Sequence, residues 1–247
     1  MDLAGPLQEL TPQAEVDVLT SLATAATRRL LQDTGTVNCD DWRRPSRLPG
    51  WTRGHVATHL ARQAEALVRV VEGALTGRPQ PMYASAEQRD SEIEAGAGRS
   101  GEQLRTDLDS AAAALSAAFD RLAEADAWER ALELRGGDQV PARLLPLARM
   151  SEVVLHHVDL DIGFEVADID TRDAELLLSW CALRLRRRSD FPRLQLVLPS
   201  GVQQAVGSLG AATTVSGAAP ELLGWLTGRS SSSGPAGSPT LSLPSFG

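Results

Sequence analysis

The chain has 247 residues, of which 43% are hydrophobic, so it can bury the core of one large domain or of two modest ones. Its net charge of -8 argues against a nucleic-acid partner, because phosphate binding needs a basic surface. All 24 basic residues are arginines. The absence of lysine excludes Schiff-base enzymes, among them pyridoxal-phosphate enzymes and class I aldolases, and it excludes the usual phosphate-binding loop.

The sequence also indicates the cellular compartment in which we expect the protein. No apolar run is long enough for a membrane span, and the N-terminus lacks the basic and apolar segments of a secretory signal. Two cysteines, Cys39 and Cys181, are too few for a disulfide framework. We therefore expect a reduced, cytoplasmic protein with small-molecule rather than membrane or nucleic-acid partners, acting as a monomer or a weak homo-oligomer.

Four long helices are predicted in the first two thirds of the chain. Thr11 is a good N-cap for the first because Pro12 follows it, and Thr52 caps the second, which stops at Gly77 as a helix with a C-terminal glycine should. Four such helices pack most economically as a bundle. The predicted bounds are 12–32, 52–77, 101–126 and 142–163.

Shorter elements connect and follow these helices. A proline-marked loop leads into a short helix before residue 97, and a hairpin with its turn at Gly136-Gly137 precedes the fourth long helix. After Gly163 the pattern changes to a helix over 171–188, three short strands and a last helix that starts at Pro220. The predicted strands are 193–199, 202–208 and 213–217. We therefore predict a helical bundle over 1–165, then a small α+β domain over 166–247 that ends in a low-complexity tail.

All four histidines lie in the second and fourth long helices. His55 and His59 are four residues apart and share a helix face, and Glu152 and His156 have the same spacing. His157 points about 100° away from His156. If the two helices are neighbours, Glu152, His156 and one histidine of the second helix converge, and such a ligand set suits a divalent metal, zinc most readily. The alternative is a set of ordinary hydrogen-bonded histidines in the core or at the surface.

Three segments carry a resemblance to a known family: LPGWTRGHVATHLARQAEALVR, TGRPQPMYASAEQRDSEIEAGA and ARMSEVVLHHVDLDIGF. They resemble the mycothiol-dependent maleylpyruvate isomerase family, whose N-terminal domain is a DinB-like metal-binding four-helix bundle. The resemblance covers the predicted bundle well. It continues more loosely to VSGAAPELLGWLTGR, which is similar to the end of the family's small C-terminal α/β domain.

The resemblance implies a ligand set and catalytic residues. By position, the family's metal ligands correspond to His59, Glu152 and His156. His55 and His157 then become near neighbours of the metal and candidates for catalytic contacts.

An arginine of the family's C-terminal domain corresponds to Arg229, which the resemblance places at the active site for the substrate and the thiol cofactor. Arginine can hold a carboxylate through two parallel hydrogen bonds. Arg53 and Arg89 are further candidates for this role, from their positions in the matching segments.

The implied reaction is the cis–trans isomerisation of maleylpyruvate to fumarylpyruvate in gentisate degradation, with mycothiol and a divalent metal, Zn²⁺, as cofactors. A carbon–carbon double bond does not rotate, so a thiolate must add to it, allow rotation and leave again. Cys39 is followed by two aspartates and Cys181 lies in an apolar helical run, so neither has the surroundings of a reactive thiolate. An exogenous thiol whose pKa is lowered by the metal fits this sequence.

Two alternatives stay open at this point. One is a mycothiol S-transferase of the same fold that acts on another electrophile. The other is a metal-binding regulatory module without catalysis.

Overall fold

The computed structural model describes residues 12–186, 188–230, 234, 235 and 238. Contacts between Cα atoms divide these residues into two compact units, one over 12–163 and one from 164 onward. The two units are described separately. Within the described residues, every helix is too short or too polar to cross a lipid bilayer.

The first unit is a bundle of helices. In it, α2 packs against α4 and α5, and α1 packs against the same two helices, so that the four long helices close a ring around one core. The shorter α3 packs on α2. A two-stranded antiparallel hairpin, β1 with β2, connects α4 to α5. The predicted four-helix bundle is confirmed. The bounds are α1 (Pro12–Gly35), α2 (Arg53–Thr76), α3 (Ala86–Ala97), α4 (Gly101–Glu124), β1 (Ala131–Glu133), β2 (Gln139–Pro141) and α5 (Leu145–Asp159).

Helix α2 begins and ends where its sequence predicts. The hydroxyl of Thr52 accepts from the backbone N–H of His55, and the His55 ring in return accepts from the backbone N–H of Thr52, which makes a capping box. Gly77 ends the helix in the left-handed conformation with φ of 66°. The predicted N-cap of α1, Thr11, lies outside the described residues.

Other boundaries differ from the predictions by a few residues. Helix α1 continues to Gly35, and α4 stops at Glu124 because Asp126 has φ of 47°, which a right-handed helix does not allow. A separate turn of 3₁₀ helix, Ala142–Leu144, precedes α5, which therefore starts three residues later than predicted.

The second unit combines two helices with a three-stranded sheet. The strand order is β4-β3-β5, with β3 antiparallel to β4 and parallel to β5. Helix α6 packs against β4 and α7. The predicted small α+β fold is confirmed. Its elements are α6 (Thr171–Leu185), β3 (Pro192–Val197), β4 (Gln203–Val206), β5 (Leu209–Ser216) and α7 (Ala219–Leu226).

Tertiary hydrogen bonding sets the end of α6. The carbonyl of Leu185 accepts from the backbone N–H of Gly207 in the sheet region, so the helix ends there instead of at Arg188. Strand β5 begins at Leu209, four residues before the predicted strand. Most of the predicted low-complexity tail lies outside the described residues.

Two buried arginines join α2 to α5 and so set the relative position of the histidine-bearing segments. From α5, an Arg149 amino group (NH1) donates to the Leu60 carbonyl at 2.8 Å and to Gln63 Oε1 at 2.7 Å. From α2, Arg53 Nε donates to the Leu160 carbonyl at 2.8 Å, just beyond the end of α5. The bonds from Arg53 satisfy backbone carbonyls beyond the end of α5 that would otherwise cost free energy when buried.

Candidate metal centre

Three side chains from α2 and α5 converge in the bundle. Glu152 Oε2 lies 3.0 Å from His59 Nε2 and 3.4 Å from His156 Nε2. The two imidazole rings meet edge to face, with centroids 4.6 Å apart. One potential ligand atom from each residue lies within 4.8 Å of the other two, so the three residues can hold a metal ion. Glu152 and His156 lie one turn apart on α5 and His59 faces them from α2.

The electrostatics of the cluster favour an ionised carboxylate between two imidazoles. Burial raises the pKa of Glu152, but the hydrogen bonds from His156 and His59 outweigh burial and hold that pKa well below its usual range. Burial is the dominant influence on His59 and lowers its pKa to about 4, so this ring is neutral near pH 7. Burial also lowers the pKa of His156. Its hydrogen bonds to Asp159 and Glu152 raise the pKa by more than burial lowers it, so the pKa of His156 lies above its ordinary value.

The outer nitrogens of the two rings have different partners. His156 Nδ1 is 2.7 Å from Oδ2 of Asp159, which is only 1% exposed, and this bond fixes the ring with Nε2 towards Glu152. His59 Nδ1 is 3.4 Å from a terminal nitrogen of the Arg89 guanidinium. A carboxylate behind a ligating histidine is a usual support of a metal site, and Asp159 was not among the residues predicted from the sequence. Its position three residues after His156 is a signal that could have found it.

His55 lies on the same helix as His59 but has a different set of contacts. Its Nδ1 takes part in the capping box of α2, and its Nε2 lies 3.1 Å from the exposed Glu94. The ring stacks on Trp51, which also contacts His59 with ring centroids 5.7 Å apart. His55 is therefore linked to the cluster through Trp51 and is not one of the three converging side chains. Its catalytic role stays a prediction.

His157 points away from the cluster, as the 100° step along a helix requires. It is 2% exposed, and its Nε2 lies 3.2 Å from Asp33 Oδ2 of α1. The structure thus places His157 in the contact between α5 and α1. Its predicted catalytic role stays a prediction.

The three arginines proposed for substrate binding are placed very differently. Arg53 is buried against the chain that follows α5, where it donates to backbone carbonyls, and this contact gives it a structural role. Arg89 lies on α3 beside His59. Arg229 lies in the second unit, just after α7, where NH1 donates to the Thr227 carbonyl at 3.1 Å. Its role at an active site stays a prediction.

Neither cysteine forms a disulfide. Burial raises the pKa of the Cys181 thiol to about 12, so it stays protonated at neutral pH. Cys39 is exposed in a 3₁₀ turn, and it is not among the residues that converge with the cluster.

Comparisons with known proteins agree with this geometry. Residues 23–161 match the family model of the mycothiol maleylpyruvate isomerase N-terminal domain. A crystal structure of a mycothiol-dependent maleylpyruvate isomerase is 26% identical, covers 98% of this chain and 100% of its own, and has a TM-score of 0.84. That of a histidine-to-alanine variant of such an enzyme is 27% identical over 92% of both chains, with a TM-score of 0.79. No curated protein is significantly similar to the chain in sequence. The family model matches more than half of the chain, so the chain belongs to the mycothiol maleylpyruvate isomerase family.

Proposed function

We propose that this protein is a metal- and mycothiol-dependent isomerase that converts maleylpyruvate to fumarylpyruvate. One observation carries the proposal: His59, Glu152 and His156 bring three ligand atoms within 4.8 Å of one another in the domain that matches the family. We also propose that the ion is zinc and that the protein acts in the cytoplasm.

The ligand set fits zinc. Two imidazole nitrogens and a carboxylate oxygen are a usual set for a catalytic zinc site, which keeps a fourth position open. Tetrahedral ligands at about 2.1 Å from the ion lie about 3.4 Å from one another. The observed separations of 3.0 Å and 3.4 Å from Glu152 to the two histidines are close to that value.

The residues of the chain divide the work around this site. When bound, the metal would hold the thiol and lower its pKa, and the thiol would supply the soft nucleophile that the reaction needs. Asp159 fixes the ring of His156, and the low pKa of Glu152 keeps a negative charge available as a ligand. The buried, protonated Cys181 offers no competing nucleophile.

Turnover with defined components tests the proposal. Purified protein is loaded with zinc, mixed with mycothiol and maleylpyruvate, and followed for fumarylpyruvate. We expect fumarylpyruvate to form without net loss of thiol, and Glu152→Gln to abolish this activity. The matched control is Glu102→Gln, which changes an exposed glutamate of α4 and should leave the rate unchanged.

Two outcomes would contradict the proposal. Zinc-loaded protein that forms no fumarylpyruvate in the presence of mycothiol would remove the reaction. Consumption of mycothiol with formation of a stable conjugate on an electrophile, without isomerisation, would instead identify an S-transferase of the same fold.

A further inference from the structure

Tyr83 and two arginines form a cationic group beside the candidate metal ligands. The guanidinium carbons of Arg69 and Arg89 each lie 5.9 Å from the centre of the Tyr83 ring. Arg89 is also the residue that approaches His59 Nδ1 at 3.4 Å. The group therefore lies immediately next to the cluster of His59, Glu152 and His156.

A third arginine adds to the positive charge from the core side. Arg149 lies three residues before Glu152 on α5, so it occupies the same face one turn earlier. It is only 3% exposed, and Glu152 and Tyr83 are the charged and polar groups that act on it electrostatically. A buried cation of this kind is uncommon unless an anion compensates it.

Arg69 and Arg149 hydrogen-bond to neutral acceptors, and Glu65, one turn before Arg69 on α2, acts on Arg69 through its charge. Arg69 donates to the Met82 carbonyl, and Arg149 donates to the Leu60 carbonyl and to Gln63 Oε1, all of which are neutral acceptors. Among the described residues, neither arginine has a carboxylate oxygen within 4 Å.

Among the described residues, the acid that pairs with Arg89 lies at the surface. Arg89 pairs with the adjacent Asp90, whose side chain is 67% exposed, whereas the Arg89 side chain is only 13% exposed. An exposed ion pair of this kind contributes little and is easily exchanged. Glu152 acts electrostatically on Arg149 and Tyr83, and it is already shared by two histidines.

The phenol of Tyr83 adds a neutral donor. Burial raises its pKa and the charge of Glu152 raises it further, while Arg89 and Arg69 act in the opposite sense, so the hydroxyl keeps its proton at neutral pH. A neutral O–H and a guanidinium are both donors, and a carboxylate accepts from both.

We propose that Arg89 and Tyr83 bind a carboxylate of the substrate beside the metal centre, with Arg69 and Arg149 supplying further positive charge. The site would favour a substrate that carries a carboxylate over a neutral electrophile of the same shape. This inference deepens the proposed function and rests on it for the class of substrate.

Binding of an unreactive probe tests this site without turnover. Zinc-loaded full-length protein is titrated calorimetrically with maleate and, separately, with its uncharged diamide, in the absence of thiol. We expect maleate to bind and the diamide not to. Arg89→Gln should raise the Kd for maleate at least ~10-fold, because a charge-assisted bond is lost, and Tyr83→Phe should raise it ~3-fold.

Controls separate a binding role from a structural one. Arg78→Gln removes the same charge from an exposed position after α2 and should change the Kd less than ~2-fold. Arg89→Lys keeps the charge and should fall between the wild type and Arg89→Gln. The zinc content and melting temperature of each variant show whether a weaker Kd follows from lost metal or lost fold.

The results distinguish this site from the proposed reaction. Three results would each overturn the carboxylate site. They are absence of maleate binding, equal binding of maleate and its diamide, and an increase in Kd for Arg89→Gln no larger than that for Arg78→Gln. Arg89-dependent binding without isomerisation would keep the site and reject the reaction. Isomerisation with an unchanged KM in Arg89→Gln would keep the reaction and reject the site.

Discussion

On α2, His59 faces Glu152 and His156, whereas His55, one turn earlier, closes the capping box and stacks on Trp51. On α5, His156 faces the cluster, while the next residue, His157, turns towards α1. Each helix thus contributes one histidine to the cluster and one to the structure of the bundle. In α5 the rotational phase of the helix separates the two adjacent histidines. In α2 the two histidines share a face, so their positions along the helix and the groups packed against each of them decide their roles.

The two histidines of α2, His55 and His59, give the largest expected difference in zinc affinity between variants. His59→Ala removes a proposed ligand, and we expect the zinc Kd to rise more than ~100-fold, since even residues behind a ligand are worth 10- to 100-fold. His55→Ala removes half of a capping box and should lower the free energy of unfolding by about 1 kcal/mol with zinc still bound. Competition titration against a zinc chelator and urea unfolding measure the two quantities. Equal zinc affinity in both variants would break the distinction.

The α5 pair should show the same division with a larger structural effect. We expect His156→Ala to lose zinc and turnover together. His157→Ala leaves a cavity between α5 and α1 and should lower the free energy of unfolding by about 2 kcal/mol, with zinc affinity nearly unchanged. Zinc content after dialysis and urea unfolding test this prediction. A His157→Ala protein that is stable but empty of zinc would reverse the assignment of the two residues.

Asp159→Asn tests whether the charge of the Asp159 carboxylate supports the His156 ring as a metal ligand. The amide can still accept from His156 Nδ1, but it lacks the charge that supports the ring, so we expect zinc affinity to fall ~10-fold. Asp161→Asn, at an exposed position two residues later, is the matched control. A zinc affinity in Asp159→Asn that equals that of the control would show that His156 does not need this support.

The pH dependence of the metal-free protein gives the smallest effect. His59 has a folded pKa of about 4 and an ordinary pKa of 6.5, so the unfolded chain binds the extra proton and stability falls as pH drops through that window. His156 is shifted the opposite way, so its contribution is present at low pH and is lost as pH rises above 6.5. His59→Gln should therefore lose less stability than the wild type between pH 6.5 and 4.5 in urea unfolding. An identical loss would show that His59 is not buried as a neutral ring.

Spacing predicted much of the cluster but not its membership. The i, i+4 relation of Glu152 and His156 placed them on one face, and His157 was expected to point elsewhere. Spacing could not choose between His55 and His59, which share a face, and only the family resemblance favoured His59. The capping box that engages His55 has a local signal, a threonine three residues earlier, although the usual third residue of such a box is Glu or Gln.

Other features depend on contacts between distant segments. Tyr83 and Arg149 come from a loop and from α5, and no local pattern joins them. Arg53 was expected to hold a substrate, but the structure directs it to carbonyls beyond α5. The end of α6 is set by the bond from Gly207 to Leu185, which the helical sequence pattern does not contain.

Anomalous scattering from crystals of the zinc-loaded protein, collected on both sides of the zinc absorption edge, locates the ion directly. The proposed site predicts one peak about 2.1 Å from His59 Nε2, Glu152 Oε2 and His156 Nε2, with His55 and His157 outside ligand distance. The proposed site would be wrong if the ion were bound by His55 or His157 instead. It would also be wrong if crystals that contain zinc showed no peak among the three side chains.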